Sequence, residues 1–178
     1  KKISILDKLI ECSGVDKNYS VVAEYPNNLM IEVTNACNLK CSMCYHRKMK
    51  RRAGLMSKEL FTKIIKEAKE LNIKNVGLYT TGEAFLHPQI FDFIKIAKNK
   101  GIEYVYITTN GQALSRKEIQ KIIDSGLDSI KFSIDAASKS VYEKIRTGGR
   151  WEKLMENIQL LRKARDAAKS GLRIFGSF

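Results

Sequence analysis

At 178 residues and 44% hydrophobic content the chain can bury one ordinary core, so a single domain without a long disordered region is expected. Its apolar runs are strand-sized, residues 1–10 mix Lys, Asp and Leu without a signal-peptide core, and four cysteines are too few for a disulfide scaffold at this size. No membrane span or secreted framework is therefore expected, and the location expected is cytoplasmic. The net charge of +13 invites nucleic acid, yet Lys58, Lys63, Lys66 and Lys69 fall on a predicted helix, where a solvated face accounts for them; nucleic acid is not the favoured partner.

Residues 1–28 read as an amphipathic leader that includes Cys12, and the first residue is Lys rather than Met, which suggests a piece of a longer chain. Leu29 to Val33 is a strand-like apolar run. Directly after it, Cys37, Cys41 and Cys44 stand in the spacing Cys-x-x-x-Cys-x-x-Cys. Structural zinc and cubane iron–sulfur clusters normally take four protein ligands, so three thiolates leave one metal corner open to something that is not protein. A zinc knuckle completed by His46 or Cys12 is the competing reading, although His46 follows Cys44 too closely for the usual His spacing of a finger. The run His46-Arg47-Lys48-Met49-Lys50-Arg51-Arg52 comes next; it is either a plain solvated loop or a lure for a phosphorylated or otherwise acidic substrate.

Ser57 is placed to cap a helix whose apolar face carries Leu60, Phe61, Ile64, Ile65, Ala68 and Leu71. Val76 to Tyr79 reads as a second strand, followed by the loop 80–87 and a helix from near Pro88 that ends before Gly101. Tyr104 to Thr108 is a third strand. Past the turn Asn110-Gly111, Ser115 and Glu118 form a capping-box pattern that opens a helix closed by Gly126. Ser129 to Ile134 is a fourth strand, Ser138 to Ile145 a short helix, and Trp151, Leu154, Ile158 and Leu161 mark a longer one. Leu172 to Phe178 is a fifth strand.

Strands alternating with helices predict an α/β fold of parallel strands joined by right-handed crossovers, with ligands at the carboxyl ends of the strands. Those ends carry the cysteine loop, then Thr80-Thr81-Gly82-Glu83, then Thr109-Asn110-Gly111, then Ser133 and Asp135. Polar loops are ordinary one at a time. Four polar sets on one rim that also bears three thiols are not.

Cys37-x-x-x-Cys41-x-x-Cys44 after a first strand, Gly82-Glu83 after a second and Ser133-x-Asp135 on a fourth resemble the radical S-adenosylmethionine (radical SAM) enzymes. Asn38 to Cys44, Ser133 to Ala136 and Tyr142 to Gly149 are similar to the SPASM or twitch branch of that superfamily, which includes peptide-modifying enzymes and dehydrogenases of sugars or aminoglycosides. The resemblance covers roughly residues 29–178. It implies a parallel (β/α) partial TIM barrel, here truncated after about four and a half of its units. It further implies a [4Fe–4S] cluster on Cys37, Cys41 and Cys44, whose exposed iron binds S-adenosylmethionine; an electron from a donor such as flavodoxin or ferredoxin then yields a 5′-deoxyadenosyl radical that abstracts hydrogen from a small-molecule or peptide substrate.

Carried over by position, Glu83 and the Gly82 backbone would hold the amino group of the methionine moiety, the other reading of Glu83 being a carboxylate at a helix N-terminus; Ser133 and Asp135 would reach the sugar or methionine end, and Arg146 would pair with the methionine carboxylate or make a structural or solvated salt bridge. Asn110 would contact the cofactor or only make its turn, and Met43 and Tyr45 would pack on adenine or the cluster. Thr81 stands where the resemblance leads one to expect glycine, and Ala84 where proline often follows. The alternative function is a metal-stabilised module, zinc or iron–sulfur, that binds nucleic acid through the basic loop.

Overall fold

A computed structural model describes residues 26–178, so the leader with Cys12 lies outside the described residues apart from its last three positions. Five parallel strands lie side by side in chain order: β1 (Asn28–Met30), β2 (Asn75–Gly77), β3 (Tyr104–Thr109), β4 (Ser129–Ser133) and β5 (Arg173–Ser177). The crossovers carry α1 (Lys58–Glu70), α2 (Ile90–Asn99), α3 (Arg116–Asp124) and, between β4 and β5, both α4 (Lys139–Ile145) and α5 (Trp151–Ala167). This is the predicted α/β architecture, a partial barrel.

Alternation along β3 shows how the sheet divides its faces. Val105, Ile107 and Thr109 are buried, whereas Tyr104, Tyr106 and Thr108 are half-buried on the opposite side. The buried side packs on the helices, where the Phe61 ring of α1 stacks on Phe93 of α2 with centroids 4.2 Å apart. Each such ring withdrawn from water contributes about 1.5–3 kcal/mol. On the other side the Tyr106 hydroxyl donates to Asn28 Oδ1 at 3.0 Å, and any side chain at position 77 would collide with the Tyr106 ring, which is why β2 carries Gly77 there.

The Ser57 hydroxyl caps α1 by accepting from the Leu60 N–H at 3.2 Å, as predicted. The buried stripe of α1 is narrower than the predicted face: Phe61, Ile65 and Ala68 are buried, but Leu60 and Leu71 are exposed. Gly101 and Gly126 follow α2 and α3 at φ +84° and +80°, left-handed conformations that favour glycine as a helix stop. The capping box of α3 forms differently from the pattern, because the Ser115 hydroxyl binds the Glu118 carboxylate and caps no backbone N–H.

Two strands are displaced from their predicted bounds. β1 ends at Met30 rather than Val33, and β2 ends at Gly77 rather than Tyr79. The Ile31 N–H still donates to Gly77 O at 2.8 Å, and the Leu78 N–H to Tyr106 O at 2.9 Å. The ladder therefore runs on briefly before both chains turn aside into the rim loops.

Candidate active site

The cysteine loop is closed at its base by Thr34 and Asn35, which follow the buried Val33 beyond β1. Thr34 Oγ1 donates to Gly54 O at 2.8 Å and accepts from the Ala36 N–H at 3.1 Å. Asn35 uses both ends of its amide: Nδ2 donates to Arg52 O at 3.0 Å, and Oδ1 accepts from the Gly54 N–H at 2.7 Å. An isolated bridge between Thr34 and Leu55 completes the closure. Within the loop, Cys44 precedes a 3-10 turn (Tyr45–Lys48), and its Sγ accepts from the His46 N–H at 3.4 Å.

Cys37, Cys41 and Cys44 all line one cavity of about 120 Å³ at the carboxyl ends of the strands. Gly82 and Glu83 from the loop after β2, Asn110 after β3, Ser133 at the end of β4, and Arg146 after α4 line the same space. Asp135 is not in the lining; it stands behind Arg146 as its ion-pair partner. Met43 and Tyr45 fall outside the lining altogether, 56% and 71% exposed; the turn that Tyr45 opens buries none of its residues. The polar rim read from the sequence is thus brought together around one cavity except for Asp135, which stands behind Arg146.

Glu83 is the most enclosed charged group of the site, only 2% exposed. Its Oε1 accepts from Thr109 Oγ1 at 2.7 Å and from the Phe85 N–H at 3.3 Å, while Oε2 accepts from the Asn110 N–H at 2.7 Å. Burial pushes its carboxyl up, opposed by those three hydrogen bonds and by the charge of Arg146. A carboxylate offers about four lone-pair sites, so one remains for a donor in the cavity. Gly82, which lines the cavity, is required by the packing of the two loops as well. A Cβ there would collide with the carbonyl oxygens of Thr34 and Ala36, the latter at 2.7 Å. The Glu83 N–H donates to that same Ala36 O at 2.8 Å, which locks the second loop onto the foot of the first.

Asn110 makes its turn and more. Oδ1 accepts from the Gln112 N–H at 2.8 Å, while Nδ2 donates to Asn38 Oδ1 at 2.8 Å and faces Cys37 Sγ at 3.9 Å. Arg146 divides its guanidinium, with Nη1 directed at Cys41 Sγ at 3.7 Å and Nη2 at the Asp135 carboxylate. Sequence reasoning placed Thr109 on the rim without its role of orienting Glu83, and missed Asn35, which closes the loop. It also missed Glu32, whose Oε1 accepts from Thr80 Oγ1 at 2.8 Å while Oε2 pairs with Arg51 at 2.8 Å. Only the polar pair Thr34-Asn35 immediately after an apolar run offered a signal in the sequence.

These residues suit a cluster and a polar ligand better than a lone ion. Among the described residues no three His, Cys, Asp or Glu side chains converge on one ion-sized point, and the His46 ring is already paired through Nε2 with Asn35 O at 2.8 Å. A cubane cluster needs no such convergence, because each thiolate binds a different iron. Burial pushes the Cys37 thiol up, and the charges of Glu83 and the neighbouring sulfurs add to that, so a bound metal is what makes a thiolate favourable there. Two buried polar atoms of cavity-lining residues, Thr108 Oγ1 and Arg146 Nε, have no hydrogen-bond partner among the described residues. Orphaned donors of this kind fit a ligand rich in acceptors.

Comparison with known proteins points the same way. The sequence profile of the Radical SAM superfamily matches residues 31–176. A probable GTP 3′,8-cyclase of Methanococcus maripaludis strain C5 is 32% identical over 130 residues, covering 72% of this chain and 43% of that protein. The chain therefore spans about two fifths of the length of that curated relative. Among solved structures, BtrN in complex with AdoMet and 2-DOIA superposes with a TM-score of 0.64 at 18% identity over 87% of this chain and 58% of that one. Streptococcus suis SuiB bound to the precursor peptide SuiA superposes at 0.72 and 16% identity, covering 94% and 35%. At such identities the superpositions speak for the fold.

Proposed function

The chain belongs to the Radical SAM superfamily of enzymes, and from that premise we propose that Cys37, Cys41 and Cys44 hold a [4Fe–4S] cluster whose open iron takes S-adenosylmethionine. The observation that carries this reading is the single cavity shared by all three sulfurs, the Glu83 loop and two orphaned buried donors. When bound, the reduced cluster and S-adenosylmethionine supply a carbon-centred radical able to take hydrogen from a substrate.

The protein's part is to hold and orient. Glu83 offers one free lone pair, which suits the ammonium of the methionine moiety, and a cation placed there would favour the charged carboxylate against the burial that disfavours it. Arg146 Nε and Thr108 Oγ1 offer donors to acceptors such as its carboxylate. Ser133, half-buried in the lining, supplies a hydroxyl for the sugar. Holding the reactive carbon in one place decides which hydrogen is taken.

The substrate we propose is a small anionic, phosphate-bearing molecule. The resemblance read from the sequence pointed to peptide or sugar substrates, whereas the curated relative is named for GTP. A second hollow of about 360 Å³ favours the anionic choice. It shares Cys37 and His46 with the first and is lined by Lys40 and Arg47. Between Lys40 and Arg52 the chain has no acidic residue to neutralise that charge. An external one-electron protein donor completes the set of partners.

The test is cleavage of S-adenosylmethionine. The full-length protein, prepared without oxygen and reduced, is expected to release 5′-deoxyadenosine, and Cys41→Ala to abolish that release. Nucleoside triphosphates are expected to compete with one another for turnover more effectively than uncharged sugars. Undiminished release from Cys41→Ala would contradict the assignment of the site.

A further inference from the structure

Each of the three cysteine sulfurs meets at least one N–H donor, and these donors differ in charge. Cys44 Sγ accepts from the backbone N–H of His46 at 3.4 Å, and Cys37 Sγ faces the neutral amide of Asn110 at 3.9 Å. Cys41 alone faces a cation, Arg146 Nη1 at 3.7 Å.

The placement of that cation is over-determined. The backbone on either side of Cys41 is gripped by the two residues on either side of Arg146: the Lys40 N–H donates to Thr147 O at 2.9 Å, and the Ser42 N–H to Ile145 O at 2.8 Å. Arg146 is anchored in turn by its own N–H, which donates to Tyr142 O at 2.7 Å, and Tyr142 is fully buried with its hydroxyl accepting from Gln112. On the far side the guanidinium is balanced by Asp135, whose backbone is held at φ +57° while its N–H donates to Ser177 O at 3.1 Å. A non-glycine residue in the left-handed region persists where the surroundings impose it. Both side chains are largely removed from solvent, 15% and 26% exposed, so their charges are weakly screened.

We propose that Arg146 and Asp135 form an opposed pair that sets the reduction potential of the cluster, Arg146 raising it through Cys41 and Asp135 restraining that effect. The inference rests on the cluster reading given above. Its physical basis is that reduction adds one negative charge to the cluster. A cation and a hydrogen bond at a ligating sulfur stabilise the reduced form, whereas a carboxylate beyond the cation offsets part of that stabilisation. The two residues are positioning residues here, acting on the electron acceptor through a ligand rather than on the substrate.

The test is a potentiometric titration of the full-length protein, with dithionite as reductant and the electron paramagnetic resonance signal of the reduced cluster as readout. Arg146→Gln is expected to lower the midpoint by a tenfold change in the reduction equilibrium, about 59 mV for one electron. Asp135→Asn is expected to raise it, and Arg146→Lys to stay nearer the parent than Arg146→Gln does. Opposite signs are the signature, since a merely structural pair would move the potential the same way from either side. Variants that retain full iron and sulfide with an unchanged midpoint, or that shift together, would overturn the proposal. If Arg146→Gln fails to take up iron, Asp135→Asn decides alone, and no upward shift in it overturns the proposal. A parent protein without a four-iron cluster removes the cluster reading itself, an outcome separable by iron and sulfide analysis before any titration.

Discussion

Glu83 concentrates the physical demands of the site in one carboxylate. The sequence showed it as an acid at a strand end, but the groups that fix it, Thr109 and the Asn110 N–H, lie 26 and 27 residues further along the chain. Only the parallel register of β2 with β3 brings them together. Glu83→Gln places an amide where both oxygens now accept, so at least one buried donor loses its partner or meets another donor. We expect a loss of about 1–3 kcal/mol in denaturant unfolding, with S-adenosylmethionine affinity falling as well. Gly82 was legible as a glycine needed for close approach. What approaches is the carbonyl pair of Thr34 and Ala36, a contact between two loops that no local pattern encodes.

At the scale of elements, the helices and the order of the strands were legible, because burial against one side of a sheet imposes a periodicity that a sequence displays. The ends of β1 and β2 were not. Their apolar runs continue past the ladder, since Ile31, Val33 and Leu78 stay buried while the backbone turns toward the rim. The cysteine loop that begins there depends on Asn35 for closure. Asn35→Ala removes both amide contacts to Arg52 and Gly54, and we expect about 1–3 kcal/mol of destabilisation, together with faster tryptic cleavage between Arg47 and Arg52.

Glu32 ties the same loop to the loop after β2. Although partial burial acts to raise its carboxyl, the hydrogen bonds from Arg51, Thr80 and Thr81 prevail and hold it at about 2 against an ordinary 4.5. A lowered folded value means a contribution that is complete above about 4.5 and lost as pH falls toward 2. Glu32→Gln should therefore flatten the acid side of the stability profile across that window relative to the parent, as denaturant midpoints at successive pH values would show. An identical slope in both proteins would argue against this tie.

For the molecule as a whole, one side of the sheet is closed by helices, and the strand ends gather the thiols, the buried acid and the basic loop on a single rim. No helix among the described residues is long and apolar enough to cross a membrane. The architecture, and the strand ends that carry the rim, followed from alternating strands and helices. The division of labour within it did not, because whether Arg146 serves a ligand, Asp135 or Cys41 is decided by distances of a few ångströms across separate crossovers. The central claim is that three sulfurs hold a cluster with one corner open to S-adenosylmethionine. It is tested most directly by iron and sulfide analysis of the full-length protein prepared without oxygen, joined to the electron paramagnetic resonance spectrum of the reduced form before and after that cofactor is added. The account predicts about four irons and as many sulfides at this site, a spectrum that changes on addition, and loss of both in Cys41→Ala. One zinc per chain with no sulfide, or a four-iron spectrum indifferent to S-adenosylmethionine, would contradict it.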